Sequence, residues 1–197
     1  MKPIYAVIKL RRFWRETAGT AAVETVIMVP LLFMGLVFSY EFFGLMRQQS
    51  LQEKASYTVS DMLSRETAIV DDVYIDNAKR LLDLLTNNPE ASQLRISVLR
   101  YHRNEAQNID EFELRWTEVR GEGEMLALSP EDVRTAFDVI PQTLPGQDLI
   151  MVESQSMYRP VVSATGVLAN GRNVTTRVFM PLRFAPQLCF VGVCAPA

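Results

Sequence analysis

The polar and apolar positions follow three rhythms along the chain, and each predicts a stretch of structure. Residues 25–40 form an uncharged run, TVIMVPLLFMGLVFSY, bounded by Glu24 and Glu41. Residues 17–46 contain only those two charges, which is long enough for a bilayer-spanning helix of roughly 20 apolar residues. Beyond Arg47 the run gives way to a helical period. Leu51, Ala55, Val59, Met62 and Leu63 recur every three or four positions, with Gln52, Glu53, Lys54, Ser56, Ser60 and Asp61 between them. Neither Pro nor Gly interrupts residues 45–70, so the spacing predicts a stalk helix continuing from the apolar run. A second helix is predicted over residues 73–85, with Val73, Ala78, Leu81, Leu82 and Leu85 on its inner face. Asp71 and Asp72 suit its positive end, and Asn87-Asn88-Pro89 stops it.

A period of two follows. Leu94, Ile96 and Val98 alternate with polar residues, and Phe112, Leu114 and Trp116 do the same, so both stretches read as half-buried strands. Residues 103–108 make the polar loop between them, and Gly121-Glu122-Gly123 breaks the second strand. Ser129 and Pro130 open a short helix reaching Phe137, with Ser as cap and Pro at the first helical position. Further strands are expected at residues 149–157, at 161–168, and around Val174, Val178 and Met180, the last two joined by the turn signal Asn170-Gly171. The predicted fold class is α+β: a long N-terminal transmembrane and stalk helix, then a small domain in which helices pack on an antiparallel sheet. A doubly wound parallel sheet would need more strand–helix alternation.

Charge adds an orientation. The 197-residue chain carries a net −3, but its first 19 residues hold Lys2, Lys9, Arg11, Arg12 and Arg15 against Glu16. A basic head before an apolar span places the N-terminus in the cytoplasm and the acidic body on the far side. A cleavable secretory signal fits poorly, because the apolar run is too long and the bulky Tyr40-Glu41-Phe42-Phe43 replaces a small-residue cleavage site. An acidic body also argues against a nucleic-acid partner.

Glu24 is the residue that asks for a function. A charge inside an apolar helix costs about 2.5–3.5 kcal/mol on insertion scales, unless the group stays hydrated at the interface. Its context is Gly19-Thr20-Ala21-Ala22-Val23-Glu24-Thr25, directly after the basic head, with Pro30 further along. A cut after Gly19 makes Thr20 the new terminus and Glu24 the fifth residue. This arrangement resembles the type IV prepilin signal. Over residues 17–36 it is similar to the TadE-like family, minor pseudopilins of Tad (Flp) pilus systems, through Gly19, Ala21, Ala22, Val23, Glu24 and Pro30. It departs at Thr25, where that family more often has an aromatic residue.

The resemblance implies a structural and assembly protein, not an enzyme, and the layout 1–19 leader, 20–46 transmembrane helix, 47–70 stalk helix and 71–197 extracytoplasmic α+β domain. It implies a single-pass protein of the bacterial inner membrane, with the C-terminal domain periplasmic or extracellular. Its expected partners are the membrane, other pilins and pseudopilins, Tad assembly proteins and a prepilin peptidase acting after Gly19. Glu24 then pairs with the N-terminal ammonium of a neighbouring subunit. Pro30 removes a backbone donor and is either a packing feature or a tolerated kink. The alternative is a single-pass, membrane-anchored periplasmic binding or enzymatic domain unrelated to pili.

Catalytic chemistry finds little support. His102 is the only histidine, beside Arg103 and without a G-x-S-x-G string, so no catalytic residue is assigned. No metal-ligand spacing and no phosphate-cradling glycine loop occurs, and no cofactor is expected. Cys189 and Cys194, separated by Phe-Val-Gly-Val, suit a disulfide closing a small ring on the oxidising side of a membrane. A redox-active pair is the weaker reading.

Overall fold

The uncharged run and the amphipathic stretch after it form one α-helix, α1, over Ala18–Ser64, running through Pro30 without a break. In the computed structural model, residues 18–87, 92–104, 109–160 and 171–193 are described. Contacts divide the chain into two units, Met1–Phe43 and Gly44–Ala197. The fold class is α+β: a long apolar N-terminal helix and a four-stranded antiparallel sheet.

In the first unit, α1 is apolar on every side. Val26, Leu32, Leu36 and Phe38 are all more than 60% exposed, and they point in different directions round the helix. A helix hydrophobic all round belongs in an apolar surrounding, not at one protein face. Ser39 is satisfied locally: its Oγ donates to the Gly35 carbonyl at 2.8 Å, one turn back.

In the second unit, the end of α1 lies with α2 (Asp72–Thr86) on one face of the sheet formed by β1 (Ser92–Asn104), β2 (Ile109–Arg120), β3 (Asp148–Tyr158) and β4 (Arg172–Pro181). The strand order is β2-β1-β3-β4 with every neighbour antiparallel. Ala55, Val59 and Leu63 of α1, Ile75, Ala78 and Leu82 of α2, and Ile96, Val98, Ile150 and Val152 of the sheet share one core. Burying each such side chain contributes about 1.5–3 kcal/mol.

The α1 face differs from the sequence reading. Leu51 and Met62 are only half-buried, whereas Gln52, Ser56 and Ser60, read as outward-facing polar spacers, are at most 1% exposed, as is Ser64. They form a stripe every fourth residue, in which Gln52 and Ser56 bond to β3 and β4 while Ser60 and Ser64 donate back to the Ser56 and Asp61 carbonyls. Gln52 Nε2 donates to Ser154 Oγ at 3.1 Å and to the Val174 carbonyl at 3.2 Å. Ser156 Oγ donates to Gln52 Oε1, and Ser56 and Ser154 share a hydroxyl bond at 2.7 Å. The sheet's own serines draw Gln52 and Ser56 inward, because a buried hydroxyl needs a partner.

The helix also stops at Ser64, short of residue 70. Bonds of the i to i+3 type tighten its end at Arg65 and Glu66, and the Arg183 amide takes the Ser64 carbonyl at 3.0 Å. Asp71 caps α2 by accepting the Tyr74 amide at 2.8 Å, and Asn87 ends it in the left-handed conformation. The inner face of α2 centres on Ile75, Ala78, Leu82 and Thr86. Val73 and Leu85, placed there by the sequence reading, are exposed.

A bulge corrects a second expectation. Val98 pairs with Trp116 but Leu99 pairs with Leu114, leaving Arg115 as an extra residue in β2. Phe112 and Leu114 therefore face the opposite side of the sheet from Trp116, although the sequence alternates without interruption. Phe112, Leu99, Tyr101, Leu149 and Met151 build a second core under the short helix α3 (Pro130–Thr135) and the 3-10 turn Phe137–Val139. Ser129 caps α3 in a reciprocal box with Asp132, with Pro130 opening the helix. The strand expected at residues 161–168 lies outside the described residues.

Residues 182–193 are sewn to the body by backbone and ring contacts. The Val70 amide donates to the Cys189 carbonyl at 2.8 Å, and the Val191 amide to the Val70 carbonyl at 2.9 Å. Trp116 Nε1 donates to the Leu188 carbonyl at 2.8 Å, and its ring lies 5.4 Å from that of Phe190. Asp148, 1% exposed, holds Arg100 Nε at 2.6 Å and the Leu188 amide at 3.2 Å.

Candidate functional site

Gly19, Thr20, Glu24 and Pro30 all fall on the first part of α1. Gly19 is exposed, and a Cβ there would meet nothing within 4 Å. Space inside the chain does not demand that glycine. Gly44 is the contrast: a Cβ there would come 2.5 Å from the Tyr158 hydroxyl, so that side chain would have to shift.

Glu24 is exposed, one turn further along α1. It stands among apolar neighbours of which Val23 and Ile27 are 61% and 57% exposed. Pro30 withholds the amide that would bond the Val26 carbonyl. The helix from Ala22 onward is long and apolar enough to cross a membrane, and none of its apolar window is buried.

At the other end of the chain, Cys189 is not a free thiol. Cys194 lies outside the described residues, so the Cys189–Cys194 pairing stands as a proposal tested below. His102 lies within β1 and bonds Glu113 Oε2 at 2.8 Å on the surface. Among the described residues no group of three or more His, Cys, Asp or Glu side chains is placed to hold a metal ion.

The sheet face opposite α1 and α2 carries a constellation not singled out in the sequence. Glu153 is 2% exposed and lies between two arginines. Arg95 Nε and Nη2 reach its Oε2 at 2.7 and 2.5 Å, and Arg177 Nε reaches Oε1 at 2.7 Å. A carboxylate this buried is stable only when paired so. Its signal was available: Glu153 interrupts the apolar stretch of β3, where a charge needs a reason.

Beside this triad opens a cavity of about 470 Å³, lined among others by Leu126, Leu128, Ile140 and Met151. Its outer wall is the irregular segment 121–129. Gln93 holds that wall as a strand would, accepting the Met125 amide at 2.9 Å and donating to the Met125 carbonyl at 3.4 Å. Arg95 Nη1 pins the Leu126 carbonyl at 2.6 Å. Gly121, at φ +95°, lets the chain turn into the wall, because a Cβ would strike the Ser92 carbonyl. On the rim, the Ser129 amide donates to Asp132 and holds its carboxyl below the usual carboxylate range, so it is ionised at neutral pH. No protein-family model, no curated protein and no solved structure matches the chain.

Proposed function

We propose that the chain is a TadE-like minor pseudopilin, a membrane-anchored structural and assembly component of a Tad (Flp) type IVb pilus. Residues 20–46 cross the bacterial inner membrane once. The leader stays in the cytoplasm, and the pilin-like α+β body lies on the periplasmic or extracellular side. The observation that carries this reading is the start of α1: apolar on all sides, with one exposed carboxylate, Glu24, one turn after an unconstrained Gly19. A prepilin peptidase cutting after Gly19 frees the Thr20 ammonium. In hydrocarbon that ammonium and the Glu24 carboxylate of a neighbouring subunit are each costly alone and tolerable together. Pairing them sets the register between packed helices of pilins and pseudopilins.

Glu24→Ala tests the reading. It deletes an intramembrane charge, so membrane abundance should be normal or higher. Piliation and co-purification with other pilus subunits should fall sharply, with Glu24→Asp intermediate. Mass spectrometry of the extracted protein should find Thr20 as the first residue. Wild-type piliation in the alanine variant defeats the proposal. That result would favour the second reading, a single-pass membrane-anchored periplasmic binding domain, which the open cavity beside Glu153 supports.

A further inference from the structure

Arg177 lines the cavity with its binding capacity unspent. Only its Nε is engaged, on Glu153; neither Nη group has a partner among the described residues. Arg95 differs, because Nε and Nη2 go to Glu153 and Nη1 to the Leu126 carbonyl. Glu153 therefore fixes one edge of the Arg177 guanidinium and leaves its outer donors available beside the cavity. A fork held this way matches a carboxylate with two parallel hydrogen bonds.

Two further features select the rest of the ligand. The cavity is lined by Leu126, which is 75% exposed, and by Leu128, Ile140 and Met151, so it takes an apolar side chain next to the charge. Ala127 and Leu128, in the wall, make no backbone hydrogen bond among the described residues. Backbone with spare donors and acceptors beside a cavity is what an incoming peptide segment pairs with. Glu124 and Asp132 also line the cavity and disfavour a small free anion. A longer ligand reaches Arg177 with its carboxylate and keeps neutral backbone near those acids.

We infer that this cavity is a peptide-recognition site: it takes an extended segment of a partner protein carrying a carboxylate beside an apolar residue, with Arg177 as the carboxylate receptor. The carboxylate is a side chain or a chain terminus. The inference stands on the second unit alone and does not depend on the pilus reading.

The test uses the full chain in detergent micelles and labelled peptides read by fluorescence anisotropy. Acetyl-Leu-Glu-Leu-amide is compared with its Gln counterpart, and acetyl-Leu-Leu bearing a free terminus with its amide. Saturable binding of one acidic member, about tenfold tighter than its neutral twin, is expected and identifies the carboxylate's source. Arg177→Gln should erase that preference. Arg177→Lys, which keeps the charge without the fork, should retain only part of it. Arg172→Gln removes a charge from the other face of the same strand and should change nothing. Acetate at the same concentration should not compete. Equal binding of the acidic and neutral peptides, no saturable binding of any of them, or an equal loss in the Arg172 variant would each overturn the inference.

Discussion

Gln52 on α1 and Ser154 on β3 are hydrogen-bonded at 3.1 Å although 102 residues separate them in the chain. Ser56, Ser156 and the Val174 carbonyl complete the same seam. Because these groups bond in only one alignment, they specify how far α1 is shifted along the sheet, which an apolar seam would leave looser. Gln52→Leu strands Ser156 and the Val174 carbonyl in a dry interior and should destabilise the body by about 1–3 kcal/mol. Adding Ser154→Ala and Ser156→Ala should recover part of that loss, since removing both sides of a buried bond costs less than removing one. Denaturant midpoints of the three proteins check it; a triple variant weaker than the single one would show that the seam is not one unit.

How far this seam could be read from the sequence follows from its chemistry. A helical period identifies which residues share a face, but it takes polarity to mean exposure. Gln52, Ser56, Ser60 and Ser64 lie on one such face, and only Ser154 and Ser156, far along the chain, reveal that it points inward. The long apolar helix, the capped helices and the antiparallel pairing were legible because each rests on local spacing. The tail over Val70 and the Arg95–Glu153–Arg177 triad were not, because both depend on residues that only the fold brings together.

The bulge at Arg115 is the clearest case of local pattern misleading. Phe112 and Trp116, 3% and 5% exposed, are buried in cores on opposite faces of the sheet, and one extra residue is what separates them. Deleting Arg115 closes the bulge and forces one set out of its core. The loss should be at least about 3 kcal/mol, comparable to truncating a large aromatic side chain. Thermal unfolding with tryptophan fluorescence reads both stability and the fate of Trp116. A variant with wild-type stability and emission would show that the bulge is dispensable.

We predict that Cys189 and Cys194 form a disulfide in the native protein, and that it matters little for stability. A ring this short restricts the unfolded chain least. The tail is already held by the Val70 amide on the Cys189 carbonyl and by Trp116 on Leu188. Thiol labelling of unreduced, denatured protein should find neither cysteine free, and Cys189→Ser should lower the melting temperature by no more than a few degrees. Two reactive thiols in protein taken from its native cells would refute the pairing; collapse of the serine variant would refute the minor role.

Tyr74 supplies a pH dependence at the alkaline end. Burial, and next the neighbouring Glu66, push its phenol up to about 12 from the ordinary 10.0. Between these values the unfolded chain has released the proton while the folded one keeps it, so stability falls as pH rises. The contribution is fully present below about pH 10 and gone once pH passes the folded value. Tyr74 is only partly buried, which keeps the effect modest. Tyr74→Phe removes the titrating group and preserves most of the packing, so its stability should decline less steeply than wild type across this window. Tyrosinate absorbance should likewise show one late-ionising group fewer in the variant, with Tyr101, raised by its hydrogen bond to Asp110, remaining in both. Parallel stability profiles for the two proteins above about pH 10 would mean that Tyr74 ionises freely in the folded state, and that Glu66 and burial do not hold its proton.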